Sequence, residues 1–147
     1  MRSLFFTPLV IAVSAFAPHA FGACSQATLT GGFALSGSPM DYDVEDIPVT
    51  HSVGRLTFDG KGGITSASIR QGAGGEVVSF TARGNYTLAA NCQGTGTMTL
   101  SSDGVPVSNV SLQFVVSGTP SQPQISMLIS APNDGITTLA RLSKIGI

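Results

Sequence analysis

The chain is expected to fold as an all-β protein, a single antiparallel up-and-down barrel of about eight strands. Three observations lead there. Apolar and polar residues alternate with period two in segment after segment, Gly or Pro interrupts every candidate helix before three turns accumulate, and tight-turn clusters separate the segments. Eight such strands left as an open meander expose two edges and an uncovered apolar face, and closure removes both. A two-sheet β-sandwich is the alternative that satisfies the same alternation.

Residues 1–22 read as a secretory signal peptide and residues 23–147 as a single β-barrel domain. Arg2 supplies the charged start, Leu4 to Phe16 are mostly apolar, and Ala20-Phe21-Gly22 gives a small-x-small exit. Gly22-Ala23-Cys24 also resembles the end of a lipoprotein signal, but Phe21 stands where such signals usually carry leucine, so cleavage after Gly22 is preferred. The protein is therefore expected to be exported, periplasmic or secreted, with no transmembrane segment in the mature chain. Anchoring as a lipoprotein through Cys24 is the alternative. A barrel of the outer-membrane kind is set aside because the chain has no Trp, only Tyr42 and Tyr86 for aromatic girdles, short turns and a terminal Ile147.

Cys24 and Cys92 are the only cysteines, and in an oxidising compartment two cysteines are expected to pair. The bond closes a long loop, worth about 4 kcal/mol in the chain-entropy account. A metal reading lacks companion ligands, since His51 is the only histidine after residue 22. Charged residues make up only 10% of the chain, so Ser, Thr, Asn and Gln must cover the surface, as suits an exported β-protein. Nucleic-acid binding is excluded: Arg55, Arg70, Arg83 and Arg141 are scattered one per segment and form no basic stripe.

The first strand is expected over Thr28 to Ser36, with Gly31-Gly32 marking a corner. Val53 to Gln71 is the clearest hairpin, Leu56 and Phe58 facing inward and Asp59-Gly60-Lys61-Gly62-Gly63 turning the chain. The fourth strand places Val78, Phe80, Ala82, Tyr86 and Leu88 on one side. A turn at Asn91 to Gly94 leads to the fifth strand, with Thr95, Thr97 and Thr99 outside and Met98 and Leu100 inside. Ser102-Asp103-Gly104 turns it back. The sixth strand, Val107 to Ser117, carries Val110, Leu112, Phe114 and Val116 inward; Ile125, Met127 and Ile129 line a seventh, and Ile136 to Leu142 forms an eighth.

Several of these residues also carry a resemblance. Ala23-Cys24-Ser25, Ala27 to Gly31, Gly54-Arg55-Leu56-Thr57-Phe58-Asp59-Gly60, Gly84-Asn85-Tyr86-Thr87 and Asn91-Cys92-Gln93-Gly94-Thr95 resemble a group of small exported bacterial β-proteins of unassigned function. Their architecture is similar to lipocalin-like and allene-oxide-cyclase-like barrels, which implies a ligand cavity and no particular reaction. The acidic stretch Asp41 to Asp46 departs from that pattern.

Candidate chemistry is sparse. His51 is the one mature side chain with an ordinary pKa near neutrality, and it stands at the start of the second strand beside the acidic stretch. It is the catalytic candidate, alongside the plainer reading of an exposed strand-end histidine. Asp41, Asp43, Glu45 and Asp46 offer oxygens to calcium but lack the glycine and distal glutamate of a twelve-residue calcium loop. Gly60, Gly62 and Gly63 precede a strand, so no helix N-terminus backs a phosphate cradle. Phe33, Phe58, Phe80, Tyr86 and Phe114 are the candidates for lining a ligand pocket, with core filling as the alternative. No cofactor is called for.

These residues support an exported non-catalytic barrel that binds a small apolar ligand. The alternative is a secreted or surface interaction protein with a filled core and a protein partner at the cell surface. A cavity enzyme of isomerase or cyclase type, using His51 or Tyr86, ranks below both.

Overall fold

A computed structural model describes residues 22–39, 51–73, 75–131 and 136–146. The strands are β1 (Thr30–Pro39), β2 (His51–Asp59), β3 (Gly63–Ala73), β4 (Glu76–Leu88), β5 (Gln93–Ser102), β6 (Val105–Thr119), β7 (Gln122–Ala131) and β8 (Ile136–Lys144). Each pairs antiparallel with the next, and β1 also pairs with β8, from Phe33↔Lys144 to Pro39↔Thr138, so the sheet is a closed barrel in chain order. The sandwich alternative falls with that pairing. Every strand has two hydrogen-bonded neighbours, so no edge remains.

Alternation places the expected residues inside. Phe33, Leu56, Phe58, Tyr86, Met98, Leu112, Phe114, Ile125, Met127 and Leu142 are all buried, and no charged side chain is buried among the described residues. Val78 departs from this pattern: alternation assigns it to the inner side, but it is 45% exposed, opposite Gln71 near the β3–β4 turn.

β1 starts two residues later than expected. Gln26–Thr28 form a 3-10 turn instead, closed by Thr28 N–H donating to Ser25 O at 2.9 Å, with Ser25 N–H donating to Thr28 Oγ1 at 3.1 Å. Gly31 takes φ +94° just inside the strand, where the expected corner lies. The β5–β6 connection is a two-residue turn between the paired Ser102 and Val105. Asp103 and Gly104 adopt φ 51° and 81°, the left-handed pair that matches strand twist and that Asp-Gly tolerates best.

The β2–β3 turn is organised by one carboxylate. Lys61 N–H and Gly63 N–H both donate to Asp59 Oδ1, at 2.7 and 2.8 Å. These two bonds hold the carboxyl below its ordinary value. A carboxyl whose folded-state pKa is depressed contributes stability that is present above its unfolded pKa and is lost as pH falls through the folded value. Asp59→Ala is therefore expected to lower the denaturant midpoint at pH 7 and to differ less from the parent at pH 3. A gap of equal size at both pH values would show that the charge on Asp59 contributes nothing.

The connections sort to two ends. One end carries the β2–β3, β4–β5 and β6–β7 turns, and the segment before β1 lies across it. Cys24 bonds to Cys92 in the β4–β5 turn, with Cα atoms 5.1 Å apart. Cys24 N–H donates to Ala90 O, and Leu29 is wholly buried. At the opposite end lie the β5–β6 turn and the neighbouring ends of the strands, where β1, β3 and β7 finish and β2, β4 and β8 begin. Residues 1–21, which hold nearly all of the expected signal peptide, and residues 40–50, which hold the acidic stretch, lie outside the described residues. No helix among the described residues is long and apolar enough to cross a membrane.

Candidate ligand-binding cavity

The interior divides into a filled half and a hollow one. Toward the end crossed by the N-terminal segment, four of the five candidate aromatics pack edge to face in a row: Phe33 on Phe58 at 5.3 Å, Phe58 on Tyr86 at 5.3 Å, and Tyr86 on Phe114 at 6.3 Å between ring centroids. Edge-to-face stacking suits the ring quadrupoles, so the row is favourable beyond its burial. The Tyr86 hydroxyl lies 2.9 Å from Gln26 O and 3.2 Å from Leu29 O, carbonyls of the crossing segment to which it donates. Burial raises the phenol above its ordinary pKa, and its proton is engaged in holding the segment. Core filling is thus what Phe33, Phe58, Tyr86 and Phe114 do here.

Toward the other end the barrel holds a cavity of about 250 Å³ that opens to solvent at its rim. Leu35, Ile69, Phe80, Met98, Leu100, Val110 and Ile129 form its apolar walls, with Ser52, Gln71, Ser108 and Thr138 among them. Phe80 is the only one of the five candidate aromatics that reaches it. The cavity exists because the inward positions change in size along the barrel: large rings fill one half, whereas Leu, Ile, Ser and Thr line the other. A broader depression on the outer face of β3–β6 is lined by exposed groups such as Thr65, Arg83, Asn85 and Thr97, and no apolar wall encloses it.

His51 stands at this end but on the outer face of β2. It is exposed, its Nδ1 lies 3.3 Å from Ser38 Oγ, and its neighbour Ser52 is the residue that turns into the cavity. Because side chains alternate across a strand, a histidine one position from an inward serine faces solvent. Among the described residues no carboxylate orients the imidazole. The calcium candidates Asp41, Asp43, Glu45 and Asp46 lie outside the described residues, and among those described no three His, Cys, Asp or Glu side chains cluster.

Sequence reading missed the cavity's polar lining. Its signal was present in the alternation, since Ser52, Gln71, Ser108 and Thr138 fall on the parity of the apolar core residues, but polar residues at strand ends read as solvent-facing. Comparison of the chain with known proteins found no matching family model, no similar curated protein and no similar solved structure.

Proposed function

We propose that this is an exported, non-catalytic barrel that binds a small, largely apolar molecule in the cavity between Leu35, Phe80, Leu100 and Ile129. The cavity carries the reading. Its volume of about 250 Å³ lies just under the ~300 Å³ at which ordinary ligand pockets begin, so the ligand is small. Export, to the periplasm or the medium, is supported by the signal-like residues 1–22 and by the Cys24–Cys92 bond, which suits an oxidising compartment. No cofactor enters the reading.

Native mass spectrometry of protein purified from its own host tests this. The expected result is a small-molecule adduct on the parent that is lost in Leu100→Trp, whose indole fills the cavity, while the far-ultraviolet spectrum and the disulfide persist. Parent protein that carries no adduct and takes up no added ethylbenzene would overturn the reading.

A role in protein interaction at the cell surface is the second reading, favoured by exposed valines on two hairpin tips at the cavity end. Val77, Val105 and Val107 are 68%, 63% and 53% exposed, on strands separated only by β5. Val77→Ser combined with Val105→Ser leaves ethylbenzene uptake intact under either reading, and it weakens partner capture only under the second.

A further inference from the structure

We propose that the cavity selects an uncharged amphipathic molecule of about eight to ten non-hydrogen atoms, its polar group set against a hydrogen-bonding arc on β8–β1–β2–β3. This rests on the cavity reading above and names the class of ligand. Size follows from volume: if each non-hydrogen atom with its hydrogens claims roughly the ~30 Å³ of a liquid water molecule, about 250 Å³ holds some eight atoms. A group at the rim adds one or two more.

Polarity follows from where the polar side chains stand. Ser52 and Gln71 are direct cross-strand partners on β2 and β3, and Thr138 is inward at the start of β8. Between them on β1, Gly37 pairs with Ser52 on one side and Ala140 on the other. A Cβ at Gly37 would sit 3.1 Å from Thr138 Cγ2, so glycine adds no side chain to that stretch of wall. Phe80, Leu100 and Ile129, from β4, β5 and β7, supply the apolar wall, interrupted by Ser108 on β6. Ser52, Gln71 and Thr138 are each half-buried, and the side-chain hydrogen bonds among the described residues engage none of them. Half-buried donors and acceptors facing an apolar space favour a ligand that completes their hydrogen bonds.

Charge is excluded by the same lining. Among the described residues none that lines the cavity is ionisable; Arg55, Arg70, Arg83 and Arg141 are exposed, and Lys144 pairs with Phe33 toward the filled half. A carboxylate or ammonium placed inside would be stripped of water with no counter-charge to meet it.

Three probes of nearly equal size separate the outcomes: ethylbenzene, 4-ethylphenol and 4-methylbenzoate, titrated at pH 7 into the parent and into Ser52→Ala/Thr138→Val with amide chemical shifts as the readout. The expected result has three parts. 4-Ethylphenol binds the parent and weakens by about fivefold to tenfold in the double variant, the span of one or two neutral hydrogen bonds. Ethylbenzene binds the variant at least as well as the parent, which also shows that the variant is folded. 4-Methylbenzoate binds the parent at least tenfold more weakly than 4-ethylphenol. If the variant binds 4-ethylphenol unchanged, or if 4-methylbenzoate binds as tightly, the polar arc does not select the ligand and the proposal is overturned while the apolar cavity stands. If neither ethylbenzene nor 4-ethylphenol binds the parent, the cavity reading fails with it.

Discussion

Replacing both cysteines with serine is expected to lower the unfolding midpoint by about 15 °C. The bond joins positions 68 residues apart, for which the chain-entropy account gives about 4 kcal/mol. In a domain of this length one kcal/mol moves the midpoint by about 4 °C. The loss is large because total stability for a domain is only about 5–15 kcal/mol. It is also local in its consequence. Cys24 anchors the segment that crosses the filled end, where Leu29 is wholly buried and two backbone carbonyls receive the Tyr86 hydroxyl. Without the tether that segment keeps the residue-24 N–H bond to Ala90 O, the Tyr86 hydroxyl bonds to Gln26 O and Leu29 O, and the Leu29 contact. Calorimetry of the parent, the reduced parent and Cys24→Ser/Cys92→Ser checks this. A shift under about 5 °C would mean that the burial of Leu29 and the backbone hydrogen bonds hold the segment unaided. Ligand uptake at 25 °C is expected to survive, because the cavity shares no residue with the tether.

Phe58→Ala is expected to cost about 4 kcal/mol, in the range for truncating a buried phenylalanine. Phe58 is 1% exposed and stands second in the aromatic row, edge to face with both Phe33 and Tyr86. Truncation removes two ring contacts at once and opens a void that neighbours fixed on different strands fill only in part. Phe80→Ala gives the contrast. Phe80 is only partly buried and one side of its ring faces the cavity, where partner atoms are already missing. Its truncation is expected to cost about 1–2 kcal/mol. Denaturant unfolding of the two variants measures the difference. Equal costs would show that the two halves of the interior are packed alike and would remove the basis for placing a ligand in one of them.

Several features were legible from single residues and their neighbours. Leu56 and Phe58 alternate with Arg55 and Thr57 because a strand turns successive side chains to opposite faces. Asp103-Gly104 turns the chain because both residues accept positive φ. Cys24 and Cys92 pair, and as the only two cysteines of the chain they left a single intramolecular pairing to expect. The error at β1, where Thr28 closes a turn instead of opening the strand, was equally local. Thr28 closes a capping contact with Ser25 that hydropathy alternation does not register.

The candidate site was much less legible. Alternation assigns a residue to the inside or the outside of the barrel, but not to a depth along its axis, which depends on how eight registers stagger when β1 meets β8. Phe33, Phe58, Tyr86 and Phe114 share the parity of Phe80, yet closure stacks those four into one row and leaves Phe80 facing empty space. Likewise His51 and Ser52 differ by one position, and which of them faces the interior is set by the pairing of Ser52 with Gly37 and Gln71. The sequence alone therefore determined an all-β meander, most of its turns, most of its apolar inward residues and its one covalent tie, since each depends on short-range sterics or on residue chemistry. Only the closed tertiary structure decided which end is filled and where the cavity lies, because those outcomes come from side chains on all eight strands competing for one shared volume.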